Sequence, residues 1–185
     1  KASTGIVLPM LIMADLFGVG YYHRHADTRQ LLRLVPSTVL GVLVAIWVGD
    51  IIDPQQFRML LAVIILAGSA VMIFNFRNPN FIKPNKLTAT AAGFLGGFTT
   101  MIGNAAGPVM SVYFLAMGFQ QNNFIGTAAW FFLLVNLFKV PFHIWVWETI
   151  AWETFKLNLS IIPAIVIGAL LGFRITRLMP DGPYR

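Results

Sequence analysis

Long apolar runs alternate with short polar segments along this chain. A helix needs about 20 consecutive apolar residues to cross a bilayer, and five runs approach that length. They predict helices over residues 5–22, 31–48, 56–76, 124–146 and 157–173. The pattern therefore predicts an all-α, polytopic membrane protein.

A glycine-rich stretch, residues 93–113, interrupts this pattern. It predicts two shorter apolar helices over 87–102 and 108–119, separated by a Gly/Asn/Pro break. Non-helical backbone at membrane depth is tolerated only where protein or a water-filled cavity surrounds it, and in transporters such breaks often hold the ligand. The alternative is a kinked helix whose glycines pack closely against a neighbour. We expect a hairpin of broken helices that is re-entrant in the membrane.

Composition narrows the class of protein. Of the 185 residues, 57% are apolar and 11% charged, and the mean hydropathy is +0.74, which excludes a soluble domain. The net charge of +6 lies in short loops between apolar runs, so the expected partner is the lipid bilayer and not nucleic acid. The sequence has no cysteine, which excludes disulfides and thiolate metal sites, and no cofactor is predicted.

The charges also predict an orientation. Basic residues cluster in the loops at 23–29 and 77–86 and after residue 173, which the positive-inside rule places in the cytoplasm. The loops at 50–53 and 147–153 are acidic or mixed and are expected outside, where tryptophans of the second loop would lie at the interface. The broken hairpin then enters and leaves on the cytoplasmic side.

Several pairs of residues recur at matching offsets, which predicts an internal repeat. The first copy has Gly5 with Asp15, Pro36 with Gly41, and Gly41 with Phe57-Arg58; the second has Gly126 with Asn136, Pro163 with Gly168, and Gly168 with Tyr184-Arg185. We predict a boundary between 1–86 and 87–185. The parity of the crossings puts the two copies in opposite orientations, an architecture that recurs in secondary transporters.

The repeat also predicts segments beyond this sequence. The second copy has its broken hairpin before its first long helix, so a matching hairpin is expected upstream of Lys1. A helix matching residues 56–76 is expected to begin near Arg185. The chain is thus expected to be an interior fragment of a longer protein.

The run 93–113, followed by Gly126-Thr127, Asn136 and Lys139, resembles the second half of the TauE/SafE sulfite exporter family. The stretch from Gly5 to Asp15 and Pro36 to Gly41 resemble the later part of its first half. The resemblance implies a multi-pass protein of a bacterial inner membrane, built from two related halves. It also implies a small anionic substrate such as sulfite, a sulfonate or a related sulfur-containing anion.

The break supplies the first candidate site. Proline at the first turn of a helix is pre-organised there, so a short helix is expected to begin near Pro108. Free N–H groups and the positive end of the helix macrodipole would bind an anion without Lys or Arg. The residues predicted to bind it are Thr99, Thr100, Gly103, Asn104, Gly107 and Pro108.

Polar residues inside the long helices supply the second. Asp15 is a costly intramembrane carboxylate, for which a proton-carrying role and a structural hydrogen bond both remain open. Asn136 is its counterpart in the repeat. Lys139, one turn further along, either attracts the anion or extends to the outer interface, and His143 is expected at that interface.

The sequence bears on three function classes. A secondary transporter explains both the repeat and the broken hairpin. An intramembrane enzyme would need a catalytic motif, and no HExxH, no Gly-X-Ser-X-Gly and no paired carboxylates at catalytic spacing occur in the sequence. A non-transporting subunit has no need for irregular backbone in the membrane. A metal site at the pair His23 and His25 would need a carboxylate or a third histidine that the sequence does not place beside it, so this pair is expected to lie in a solvated loop.

Overall fold

The structure is a computed structural model that describes residues 2–78, 82–83, 85–150 and 152–178. These residues form helices and loops without a strand. The α-helices are α1 (Ala2–Tyr22), α2 (Thr28–Ile51), α3 (Pro54–Arg77), α4 (Lys86–Gly103), α5 (Gly107–Ala116), α6 (Gln121–Trp145) and α7 (Trp152–Leu178). A single 3-10 turn, His23–His25, follows α1.

Five helices, α1, α2, α3, α6 and α7, are long and apolar enough to cross a membrane. They are the five predicted from the apolar runs, and the all-α, polytopic fold class is confirmed. Local sequence explains where α3 begins. The side chain of Asp53 accepts bonds from the N–H groups of Gln55 and Gln56, the Gln56 side chain accepts from the Asp53 N–H, and proline occupies the first helical position.

The two short helices also form where the pattern predicted them. Asn85 caps α4 through a second reciprocal pair of hydrogen bonds, with Thr88. α5 has only ten residues, fewer than the ~20 that a spanning helix needs. A non-helical segment of three residues, 104–106, separates α4 from α5; we call it the break.

By contacts the chain divides into two compact units. One comprises Lys1–Asp27 with Gln120–Arg185 and contains α1, α6 and α7; the other, Thr28–Phe119, contains α2 to α5. We call them the α1/α6/α7 unit and the α2–α5 unit. The predicted boundary at residue 86 divides two copies of a sequence repeat and not two compact units, and it stays a prediction.

In the α1/α6/α7 unit, α1 and α6 lie antiparallel. At one end Gly5 faces Thr149, in the segment after α6. At the other, Gly126 faces the backbone of Tyr22 and Ala26, after α1, and the Asp27 N–H donates to Thr127 Oγ1 (2.9 Å). Each helix thus begins with a glycine against the segment that follows the other helix. This reciprocal contact brings the middle of α1 alongside the middle of α6.

In the α2–α5 unit, α2 and α4 pack at very short distance. A Cβ on Gly97 would collide with the Thr38 carbonyl, and one on Gly41 with the Phe94 carbonyl. On Gly93 it would meet the Ser37 hydroxyl. Small residues allow such close helix packing in membranes. The interpretation of the glycines as packing residues therefore holds for these three positions.

Candidate functional site

The break between α4 and α5 is built on Asn104. Its backbone is left-handed (φ 52°), a conformation that asparagine adopts more readily than most residues. The Asn104 N–H donates to the Thr100 carbonyl (2.9 Å) and the Ala105 N–H to the Thr99 carbonyl (3.2 Å). These bonds satisfy the Thr99 and Thr100 carbonyls in the last turns of α4, and three residues separate the end of this helix from the start of α5.

The start of α5 leaves its first donors available to a ligand. Ala106 precedes the helix and has no side-chain group with which to cap it. Pro108 carries no N–H, and the first intrahelical bond runs from the Met110 N–H to the Ala106 carbonyl (2.9 Å). The N–H groups of Gly107 and Val109 are therefore the first-turn donors without an intrahelical acceptor. They lie at the positive end of the helix macrodipole.

The glycines on either side of the break differ in their surroundings. A Cβ on Gly103 would collide with the side chain of Leu61, from α3. A Cβ on Gly107 would have no heavy atom within 4 Å among the described residues. Gly103 is thus a packing position on that side, whereas Gly107 faces open space beside the donors of α5.

The threonines of α4 have less to offer an anion. Thr99 and Thr100 are buried, and the Thr99 hydroxyl donates to the Leu95 carbonyl (2.7 Å). An anion needs donors, and that hydroxyl proton is already used within its own helix. Thr99 could bind an anion only after giving up this bond.

A cavity of about 390 Å³ lies beside the hairpin but does not suit an anion. Its lining is apolar apart from Thr88, Thr99 and Tyr113, and consists of Val63, Ile64, Ala67, Gly68, Val71, Ile82, Thr88, Ala91, Ala92, Leu95, Phe98, Thr99, Val109, Val112 and Tyr113. Such a wall cannot replace the hydration of a charge. The chemistry of the lining fits hydrocarbon, although Val109, whose N–H is one of the two α5 donors, borders the cavity.

A second polar cluster lies in the α1/α6/α7 unit. Asn136 Nδ2 donates to Asp15 Oδ2 (2.7 Å), joining the middle of α6 to the middle of α1. Lys139, one turn along α6, is fully buried and interacts electrostatically with Asp15. Its ammonium therefore does not extend to the interface. The hydrogen bond between helices considered for Asp15 is present, and it leaves the carboxylate beside a buried cation.

His143 belongs to this cluster and is enclosed by protein, and its predicted depth at the membrane interface stays a prediction. The side chain is fully buried, and Nδ1 lies 2.7 Å from the Thr149 hydroxyl. Thr149 also bonds the His143 carbonyl through its N–H (2.8 Å) and its hydroxyl (3.3 Å). The segment after α6 thus folds back over the ring. No signal in the apolar pattern could have shown this, because the covering residues follow the helix.

The predicted site residues fall into two groups. Thr99, Thr100, Gly103, Asn104, Gly107 and Pro108 lie together around the break, in the α2–α5 unit. Asp15, Asn136 and Lys139 lie together in the α1/α6/α7 unit. His23, Arg24 and His25 are exposed. Tyr184-Arg185, the last anchor of the repeat, lies outside the described residues.

Comparison with known proteins identifies the family. The sequence model described as sulfite exporter TauE/SafE matches residues 1–185. No curated protein and no solved structure matches the chain. The match confirms the family that residues 93–113 and their neighbours indicated.

Proposed function

The chain belongs to the sulfite exporter TauE/SafE family, a family of membrane transporters, and we propose that it exports a small sulfur-containing anion by secondary transport. The candidate substrates are sulfite, a sulfonate or a closely related anion. We further propose that it resides in a bacterial inner membrane. The five spanning helices supply the multi-pass architecture that this function needs.

We place the anion at the start of α5. The observation that carries this assignment is the open space in front of Gly107, next to two backbone donors and the positive helix end. An anion leaving water must regain several hydrogen bonds, and backbone N–H groups at a helix terminus provide donors and partial positive charge together. Asn104 and Pro108 fix the break, and Thr99, Thr100 and Gly103 form its α4 side.

We assign Asn136 and Lys139 a supporting role in attracting the anion, and Asp15 the role of carrying a proton. Ionisable groups in membrane helices mark ion pathways and proton relays. A buried carboxylate beside a buried ammonium has two protonation states with different net charge. A proton on Asp15 would thereby change the net charge of this buried pair.

The inverted repeat is the second part of the proposal. Gly5 and Gly126, which stand at matching offsets in sequence, make reciprocal contacts at opposite ends of the α1–α6 pair. Asp15 and Asn136, the next matching positions, bond directly to each other. A two-fold axis through the Asp15–Asn136 bond predicts this arrangement.

The test compares two valine substitutions. Gly107→Val places a side chain in the space beside the donors, where its Cβ would meet no described atom within 4 Å, so we expect at least a tenfold loss of sulfite affinity. Gly20→Val is the matched control, because a Cβ there also has nothing within 4 Å. Gly68 would be a poor control, since a Cβ on it would lie 3.3 Å from Pro108.

Affinity is measured on the purified protein by calorimetry, with sulfite, sulfonates and carboxylates as competing anions. Lys139→Gln is expected to weaken binding less than Gly107→Val does. If Gly107→Val binds like the parent while Lys139→Gln abolishes binding, the site depends on a side-chain charge and the assignment to α5 fails.

A further inference from the structure

Asn136, Lys139 and His143 follow one another on a single face of α6. The spacing of three and then four residues keeps side chains on the same side of a helix, and it covers about 10 Å along the axis. All three residues are almost fully buried. Asp15 lies at one end of this series and Thr149 at the other.

Two buried atoms of the series have no hydrogen-bond partner among the described residues: Asn136 Oδ1 and His143 Nε2. The orientation of the Asn136 side-chain amide follows from its partner, because only the NH₂ group can donate a hydrogen bond to the Asp15 carboxylate. For His143, the Thr149 hydroxyl can donate to the His143 carbonyl and accept from Nδ1–H. Nε2 then carries a lone pair and no proton.

A buried hydrogen-bond acceptor without a donor is unfavourable, so we expect Nε2 to receive a proton or a hydrogen bond during transport. Lys139 is a proton donor on the same helix face, and its charge interacts with the His143 ring. We propose that His143 Nε2 is a second proton-binding site of the transporter, in series with Asp15, and that Thr149 positions the ring for it. This inference rests on the proposed proton-coupled function and extends it to a residue outside the predicted site.

The charges indicate how many protons the series holds. With Asp15 ionised, Lys139 charged and His143 neutral, the net charge is zero. A proton on the Asp15 carboxylate gives a neutral acid, and a proton on Nε2 gives an imidazolium; each raises the net charge by one. Both together would leave two uncompensated positive charges in an apolar interior, which is strongly disfavoured. The series therefore takes up one proton, at one end or the other.

Other charges also act near this face. The amino group of the N-terminus interacts with the His143 ring, and α7, which begins three residues after Thr149, has Glu153 and Lys156 in its first turns. Asp15 is the only acidic or basic residue of α1, and Glu148, after α6, is exposed. The turn His23–His25 packs at the opposite end of α6, beside Gly126. On α7, the aromatic contacts to α1 involve Phe173 and Arg177 at the Tyr21 end.

The first test measures sulfite flux by the protein reconstituted in proteoliposomes. His143→Gln should reduce sulfite flux driven by a pH gradient at least tenfold and leave sulfite counterflow within threefold of the parent. Thr149→Val should shift the pH profile of driven flux, and Thr149→Ser should restore it. His23→Gln, at an exposed histidine, is the control. Loss of both driven flux and counterflow, or loss of neither, would overturn the proposal.

A second test needs no substrate, so it separates failure of this inference from failure of the proposed function. The chain has three histidines, few enough to resolve by NMR of protein labelled with ¹⁵N at histidine. The His143 ring should show the Nδ1–H tautomer when neutral. Asp15→Asn and Lys139→Gln should move its titration in opposite directions, because one removes a negative charge and the other a positive one. A titration indifferent to both changes would refute the coupling.

Discussion

The close contact between α2 and α4 should make Gly97 and Gly41 intolerant of a single methyl group. A Cβ on either would collide with a backbone carbonyl, of Thr38 or of Phe94. A carbonyl in a helix cannot rotate away, so the helices must separate. Overpacking of this kind costs about 1–3 kcal/mol, whereas replacing glycine by alanine inside a helix gains about 1 kcal/mol. We expect Gly97→Ala and Gly41→Ala to be destabilised by about 0–2 kcal/mol.

The matched control is Gly172→Ala in α7, where the added Cβ meets no described atom within 4 Å and only the propensity gain remains. The difference between Gly97→Ala and this control is then about 1–3 kcal/mol, or about 2–12 °C in Tm for a chain of this length. Gly93→Ala should also be destabilised relative to this control, because its Cβ would meet the Leu34 carbonyl as well as the Ser37 hydroxyl. The assay is thermal unfolding in detergent, followed by tryptophan fluorescence at one scan rate. If Gly97→Ala melts with Gly172→Ala, the short interhelical distance is wrong.

Three further predictions follow from the orientation and the buried charges. Single cysteines at Arg29 and Glu153, in a chain that has none, should react with an impermeant thiol reagent from opposite sides of the membrane; reaction from one side would contradict the inverted topology. Asp15→Asn should abolish flux driven by pH but keep substrate exchange, because asparagine can still bond Asn136; unchanged driven flux would exclude the proton role, and failure to accumulate would make the residue structural. Lys139→Met should destabilise the protein by about 3–5 kcal/mol, since it leaves the Asp15 carboxylate without its cation. Adding Asp15→Asn to this variant should recover most of the lost Tm, whereas additive losses would show that the two charges do not compensate each other.

The helices could be predicted because apolar length and composition determine which segments enter a bilayer. The exact ends depend on other residues. α3 and α4 begin after Asp53 and Asn85, which cap them through local hydrogen bonds that can be recognised from the sequence. α7 begins at Trp152, five residues before the predicted start, because its first turn is polar and does not belong to the apolar run. Hydropathy locates the part of a helix that lies in hydrocarbon, not the whole helix.

The candidate site was predictable in its residue types but not in their roles. Gly97, Gly103 and Gly107 look alike in sequence, yet the first two face neighbouring atoms and only Gly107 faces open space. That distinction depends on which helix packs where, which a single sequence does not contain. His143 shows the same difficulty, because its burial requires Thr149 to fold back and Gly5 to leave room for it.

The bond between Asp15 and Asn136 explains why matching positions of the repeat hold different residues, and it yields a last prediction. Two carboxylates at 2.7 Å could not both be ionised in an apolar interior, whereas asparagine supplies the donor that the Asp15 carboxylate needs. Asn136→Asp should therefore hold one proton between the two carboxyl groups at neutral pH. Infrared spectroscopy would detect it as a protonated carboxyl band that shifts in D₂O and is missing from the parent and from Asn136→Asp combined with Asp15→Asn. If Asn136→Asp shows no such band, both carboxyl groups are ionised and Lys139 compensates the second charge. The α1–α6 contact would then not require an amide at position 136 opposite the Asp15 carboxylate.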